Sequence, residues 1–444
     1  MARFHLISLG CAKNLVDSEV MLGSMAAGGW DLVDDPHDAD LLLLNTCGFI
    51  QPAVEEAITE IFELVRIKED APEKKIVVVG CLVQRYQEKL TEDLPEVDLF
   101  LGTEAAADIA EYVALLDHGD LQSRVVLPDR ILMSSTTPRI ISTPVFRAWM
   151  KITEGCDNRC SYCMIPAIRG PLRSRTIDDL VIEAQKLQHY GVKELSIIAQ
   201  DSTAYGNDLG RGQNIVRLMD QLLTQTSIPW LRLLYLYPTG ISEELLQLMA
   251  NNSRIVPYLD IPMQHVSDRV LRSMNRRYTS EQLYATVSTI RNILPDIALR
   301  TTFLVGFPGE TESDFLEIET FLKNTNIDHV GVFPYANEEG CPSENFAGQL
   351  PEEVKLERRD YLLDIQSDLS ALIQKKYIGR IEPVLVEGLS RETDLLLEGR
   401  TRYQAPEVDG CVYINDGVAN PGDIVQVRIT ETQIYDLVGG IVAR

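Results

Sequence analysis

Basic side chains are in short supply in this sequence. Among 444 residues, 41 Lys and Arg stand against 66 Asp and Glu, a net charge of −25. Nucleic acids are gripped through their phosphates by a basic face, so this balance argues against RNA or DNA as the direct partner, a local patch apart. Long apolar runs are missing too. The longest, such as Leu41–Leu44, fall far short of the ~20 residues that a spanning helix needs. The start, MARFHLISLGCAKN, has no cationic segment followed by a long apolar stretch. The expectation is therefore a cytoplasmic protein without a signal peptide. In that compartment clustered cysteines are more often metal ligands or catalytic groups than disulfides. No low-complexity tract and no solenoid repeat is present. The last absence is local. Three of the eight cysteines, Cys156, Cys160 and Cys163, crowd into EGCDNRCSYC, and no fourth lies near them. A structural zinc site fills four protein positions, so the triplet is one ligand short.

What is present reads as an ordinary soluble composition, 45% hydrophobic and 24% charged, with length enough for two or three domains. Over residues 1–125 short apolar runs alternate with helical spacing. Strands are expected at Phe4–Leu9, Asp40–Asn45 and Lys75–Gly80, and a helix at Pro52–Lys68. This is the pattern of a small α/β domain with buried parallel strands. Each of these strands ends at a cysteine, Cys11, Cys47 and Cys81 in turn. Ligands of open α/β sheets bind beyond the carboxyl ends of the strands, so the three can converge there as a metal site. Three small buried hydrophobes is the plainer alternative.

Residues 126–145, with prolines at 128, 138 and 144, read as a linker. In residues 146–377 strands are expected at Ala148–Thr153, Glu194–Gln200, Leu231–Tyr237, Tyr258–Met263, Arg300–Gly306 and His329–Pro334. Helices such as Ile177–Tyr190 and Ser280–Ile293 fall between them, and 336–377 reads as helical. Six β/α units imply a partial TIM-type barrel, whose site lies at the C-terminal strand ends. The cysteine triplet directly follows the first strand. Residues 378–444 hold five short strand signals separated by glycine turns, expected to form a small antiparallel β-barrel.

Thiolates suit soft metals. A 4Fe–4S cluster has four irons, each normally taking one thiolate, so three cysteines leave one iron open to a small molecule. A zinc knuckle short of a ligand, and with it a non-catalytic zinc-stabilised binding module, stays open on the spacing alone. The C-x₃-C-x₂-C run closely resembles that of the radical S-adenosylmethionine (SAM) superfamily. The resemblance implies that Cys156, Cys160 and Cys163 hold a catalytic cluster whose open iron chelates SAM, and that reductive cleavage yields a radical able to take hydrogen from a C–H bond. It also implies SAM contacts from Tyr162 and from strand-end residues: Gln200, Asp201, Gln264 and His265, Thr302 and the glycines of FLVGFPGET, with Arg300 at the start of its strand. Arg169, Arg173 and Arg175 of IRGPLRSR could contact a carboxylate of SAM or substrate, or could be a basic loop with partners on this acidic protein.

A second three-cysteine set ahead of the triplet resembles the methylthiotransferase family over nearly the whole chain, including a C-terminal barrel of the TRAM type. SLGCAKNLVDSE, NTCGFI, IPAIRGPLRSR and GRTRYQAPEVDG resemble the branch that modifies ribosomal protein S-twelve. The resemblance implies two 4Fe–4S clusters, with Cys11, Cys47 and Cys81 holding the auxiliary one, and no iron at Cys341 or Cys411. It implies two SAM molecules per turnover, an external electron donor and sulfur source, and a methylthio group placed on the β-carbon of an aspartate. The nearest alternative is a tRNA adenosine methylthiotransferase. Residues 376–444 carry seven basic against eleven acidic side chains, a net of −4. That suits a basic ribosomal protein better than tRNA.

Overall fold

A computed structural model describes residues 2–210 and 212–442. Met1, Ala443 and Arg444, the extreme ends of the spans expected for the first and last domains, lie outside the described residues, as does Arg211.

The N-terminal sheet has six parallel strands: β1 (Arg3–Ser8), β2 (Asp31–Leu32), β3 (Leu41–Thr46), β4 (Lys75–Gly80), β5 (Leu99–Leu101) and β6 (Val125–Val126), in the order β2-β1-β3-β4-β5-β6. β3 and β4 are buried almost throughout, as runs of Leu and Val flanked by helices on both faces must be. The two main helices, α1 (Ala12–Ala27) and α2 (Gln51–Asp70), pack on opposite faces, into separate apolar clusters. The expected strands are β1, β3 and β4. The other three have only two or three residues, too few to carry an alternation or an apolar run.

Of the expected linker 126–145, Val126 ends β6, and residues 127–145 contain no regular element. They are nonetheless tied down: Arg139 pairs with Glu19 at 2.6 Å and with Glu183 at 2.5 Å, joining α1 to the central domain.

The central sheet holds β7 (Arg147–Lys151), β10 (Glu194–Ile198), β11 (Trp230–Leu233), β12 (Ile255–Asp260), β13 (Ala298–Val305) and β14 (His329–Pro334). They pair in that order, all parallel, and the sheet is open, the six β/α units expected of a partial barrel. The two strands skipped in this numbering, β8 (Thr153–Glu154) and β9 (Arg173–Ser174), form a short antiparallel ribbon just beyond β7. The helical expectation for 336–377 narrows to Glu352–Gln374. Gly340, Pro342, Gly348 and Pro351 interrupt the earlier part, where proline removes a donor and clashes with the preceding turn.

The last domain is a closed barrel of β15 (Ile381–Leu389), β16 (Leu397–Thr401), β17 (Val412–Asp416), β18 (Ile424–Thr432) and β19 (Leu437–Ile441). Four of its pairings are antiparallel, while β17 and β19 run parallel. The barrel docks on one face of the central sheet, where its Val384, Val412 and Val427 join Trp149, Trp230 and Tyr258 in a shared core.

Candidate active site

The β8–β9 ribbon closes the base of a loop, residues 155–172, that carries the triplet. Thr153 pairs with Ser174 and Glu154 with Arg173, so the loop leaves and returns at one point beyond the first central strand. Gly155 opens it at φ +71, and a Cβ there would lie 2.1 Å from the Pro171 carbonyl oxygen. Only glycine fits such a conformation and approach. Inside the loop, the Cys156 N–H donates to Gly170 O at 3.1 Å and the Cys163 N–H to Cys160 O at 3.1 Å. The segment 273–275 braces it from outside: Ser161 donates through its N–H to Met274 O and through Oγ to Ser273 O, and Asn275 Nδ2 donates to Arg159 O.

Cys160 is buried, and Cys156 and Cys163 are half-buried. Burial pushes the Cys156 thiol up to about 11 and the Cys163 thiol higher still, each aided by its cysteine neighbours. Arg276 Nη1 lies 3.7 Å from Cys160 Sγ, its guanidinium stacked 4.4 Å from the Tyr237 ring centre.

The N-terminal cysteines also come together. Cys11 occupies the residue before α1, Cys47 follows β3, and Cys81 begins α3 (Cys81–Tyr86). Gly10, at φ +95, lets the first loop approach the second so closely that a Cβ would lie 2.9 Å from Cys47 Cβ. Crowding by the surrounding chain raises the thiol of Cys11, an exposed residue, but the Lys13 charge and the Asn14 backbone N–H outweigh it, leaving it below its ordinary value. Burial pushes Cys47 up, and pushes Cys81 to about 11 against the pull of Arg169. The three sulfurs disfavour charge on one another, so a cationic iron cluster would relieve what the protein alone leaves unbalanced. Among the described residues, no group of His, Cys, Asp or Glu is arranged to hold a single metal ion. A four-iron cube spreads its thiolates wider than one ion does, and two sets of three free cysteines fit that donor chemistry. Cys341 lies between the sets, buried against Cys81, Met164 and Ile168, while Cys411 is in the distant barrel.

The other expected contacts divide. Tyr162 packs against an apolar cluster of Val270, Met274, Tyr335 and Phe307, the last from the GFPGE turn. Gln200 is half-buried beyond β10, and its Oε1 is buried with no hydrogen-bond partner. Gln264 stands at φ +70, its backbone bridging β13 at Thr302 and Leu304. Asp201 is already engaged: it accepts from Asn158 Nδ2 at 2.7 Å, from Thr203 N at 3.0 Å and from Ala204 N at 3.2 Å. It braces the triplet loop. Arg300 reaches the C-terminal barrel, pairing with Asp409 at 2.8 Å. His265 is a buried core residue: Nδ1 accepts from Val266 N and Ser267 N, while Nε2 lies 3.4 Å from Glu310 without a hydrogen bond. The loop arginines are neither free nor solvated. Arg173 pairs with Glu104, Arg175 with Asp179, and Arg169 with Asp17, each at 2.7 Å.

Sequence reasoning missed Arg276, Lys13 and the Lys151–Asp17–Glu154 cluster. Lys13 Nζ lies 3.4 Å from the Tyr235 ring centre, and Tyr235 itself is held at φ +60 beyond β11. Lys13 stands two residues after Cys11, the one signal that could have drawn notice. Nothing in the spacing marks Arg276.

Residues 3–102 match a family described as uncharacterized protein family UPF0004, residues 150–322 the radical SAM superfamily, and residues 378–442 the TRAM domain. The ribosomal protein uS12 methylthiotransferase RimO of Desulfotalea psychrophila is 63% identical over 441 residues, 99% of each chain. That of Anaeromyxobacter sp. (strain K) is 49% identical, over 100% of this chain and 94% of its own. Among solved structures, the radical SAM methyltransferase TsrM from Kitasatospora setae superposes with a TM-score of 0.55 at 17% identity, over 75% of this chain and 73% of that one, a likeness of fold. With its identity to the first of these relatives running from end to end, the chain belongs to the RimO family of ribosomal protein uS12 methylthiotransferases.

Proposed function

We propose that the chain attaches a methylthio group to the β-carbon of an aspartate of ribosomal protein uS12, using two 4Fe–4S clusters and two molecules of SAM per turnover. The observation that carries this reading is the pairing of two three-cysteine sites on adjoining loops, in a chain 63% identical to a uS12 methylthiotransferase. The domain spans 1–125, 126–145, 146–377 and 378–444 are proposed as its functional units, and the cytoplasm as its place of action.

Cys156, Cys160 and Cys163 would hold the cluster that binds SAM, and Cys11, Cys47 and Cys81 the auxiliary one. When bound, these clusters and SAM supply the electron-transfer, radical and methyl-group chemistry that side chains lack. The protein's residues hold, orient and enclose. The ribbon-closed loop fixes the triplet before any ligand arrives. The unpartnered Gln200 Oε1 is an acceptor suited to the ammonium group of SAM. Tyr162, on the cluster that includes Phe307, offers an aromatic face for a purine. Arg276 donates toward the Cys160 sulfur and sets a positive charge beside it. Asp201 and Arg300 support the site, the first by bracing the loop and the second by docking the last barrel.

The electron donor and the sulfur source act from outside the chain. Anaerobically reconstituted protein, SAM, a low-potential reductant and a sulfide source are incubated with recombinant uS12 or with tRNA. The expected outcome is a methylthio mass increase on one uS12 peptide. An adduct on tRNA alone would assign the chain to the adenosine-modifying reaction. Near-zero iron with stoichiometric zinc would reduce it to a zinc-stabilised binding module.

A further inference from the structure

Arg169 follows Cys163 by six residues and ends the short helix Ile165–Ile168. Its backbone belongs to the triplet loop: the neighbouring Gly170 carbonyl accepts the Cys156 N–H. Its side chain belongs to the other site. Nη2 donates to Cys81 Sγ at 3.3 Å and to Asn14 Oδ1 at 3.1 Å, while Nη1 faces Asp17 at 2.7 Å and Glu154 at 3.5 Å. Asn14 in turn donates to Leu9 O at 2.6 Å and Thr46 O at 3.3 Å, on the loops that present Cys11 and Cys47. One buried guanidinium thus touches, directly or through one amide, all three N-terminal cysteine loops. Asp17 and Glu154, which also bind Lys151, already balance the two buried cations. The nitrogen turned to Cys81 therefore has no carboxylate partner, and its acceptors are that sulfur and the Asn14 amide oxygen.

We propose that Arg169 is a positioning residue for the auxiliary site, donating to the Cys81 thiolate so as to raise that cluster's reduction potential and to hold it in fixed relation to the triplet loop. The inference rests on the reading that Cys11, Cys47 and Cys81 hold a cluster. Hydrogen bonds to cluster sulfurs, and positive charge beside them, favour the reduced and more negative state. A lysine can keep the ion pair with Asp17, but its single nitrogen cannot also serve the sulfur and the amide.

The test uses the full chain, anaerobically reconstituted, as wild type, Arg169→Lys and Arg169→Gln. Iron and sulfide analysis of the wild type comes first, followed by redox titration monitored by electron paramagnetic resonance. A wild type holding only one cluster removes the reading beneath the inference. Given two clusters, the expected result is a negative shift of the auxiliary midpoint in both variants, with the triplet cluster's midpoint unmoved. Unchanged auxiliary midpoints in both variants overturn the inference and leave the two-cluster reading standing. If a variant loses its auxiliary iron instead, thermal unfolding of the iron-free proteins decides. Equal melting temperatures support a role at the cluster, and a lowered one makes Arg169 a brace of the fold and overturns it.

Discussion

Arg400 of the C-terminal barrel pairs with Glu194 of the central sheet at 2.6 Å, with both side chains buried. Glu194 also accepts from Arg232 at 2.7 Å, and that arginine is wholly enclosed. One carboxylate thus answers two buried guanidinium groups across a domain boundary. Replacing it by glutamine strands Arg232 and leaves Arg400 only Glu387, 2.9 Å away, at a cost of about 3–5 kcal/mol for a broken buried pair. Glu194→Gln is expected to lower the urea midpoint by the corresponding amount and to loosen the barrel first, read as proteolytic release of residues after 377.

The same carboxyl sets an acid limit. Burial raises its pKa, but Arg400 and then Arg232 outweigh that and hold it at about 2. Unfolded, a glutamate titrates near ~4.3, so its stabilisation is present above that pH and lost as pH falls toward 2. The metal-free wild type is expected to lose stability over this window, and Glu194→Gln to lose less.

Asp260 behaves in the opposite way. Burial raises its carboxyl to about 6, against Arg300 3.8 Å away. The folded state keeps a proton that an unfolded aspartate releases near ~3.9, so this group's contribution declines as pH rises from about 4 to about 6. Asp260→Asn is expected to gain on the wild type across that interval by roughly 2 kcal/mol, read by chemical unfolding of the metal-free proteins. A stability difference independent of pH would sink this assignment.

Gly155→Ala must move the Pro171 carbonyl or open the β8–β9 ribbon. Displacements of this size at a reacting centre cost on the order of a hundredfold in rate. Reductive cleavage of SAM is expected to fall by that order, with iron at the N-terminal cysteines retained.

The two cysteine sets are separable by activity. Cys160→Ala is expected to abolish SAM cleavage. Cys47→Ala is expected to leave that cleavage and to abolish methylthio transfer, each variant losing about half of the iron if the sites hold one cluster apiece. Iron analysis, assay of SAM cleavage products and mass spectrometry of uS12 check the three outcomes.

The cysteine pattern was legible because thiolate chemistry is written in spacing: Cys156, Cys160 and Cys163 sit on one loop, and Cys11, Cys47 and Cys81 each follow a long apolar strand. The strand runs of β4 and β14 matched residue for residue, since the apolar runs of parallel strands leave strong patterns. What stayed hidden depends on long-range approach. Arg300 lies near the start of its strand, away from the ends that carry the site, and the barrel supplies Asp409, more than a hundred residues later, to take it. Arg169 stayed open between a carboxylate contact and a basic loop residue because its partners, Asn14, Asp17 and Cys81, come from another domain. Asp201 looked free because helix-capping geometry leaves no periodic trace.

The parallel pairing of β17 with β19 lets five strands close into a ring. A ring has no row of unpaired backbone groups, so an extended polypeptide cannot join it as an additional strand. A protein partner must then be distinguished by what projects from the ring's loops and outer face. A partner that met this domain would therefore read its surface side chains, with the backbone hydrogen-bonding scaffold closed to it.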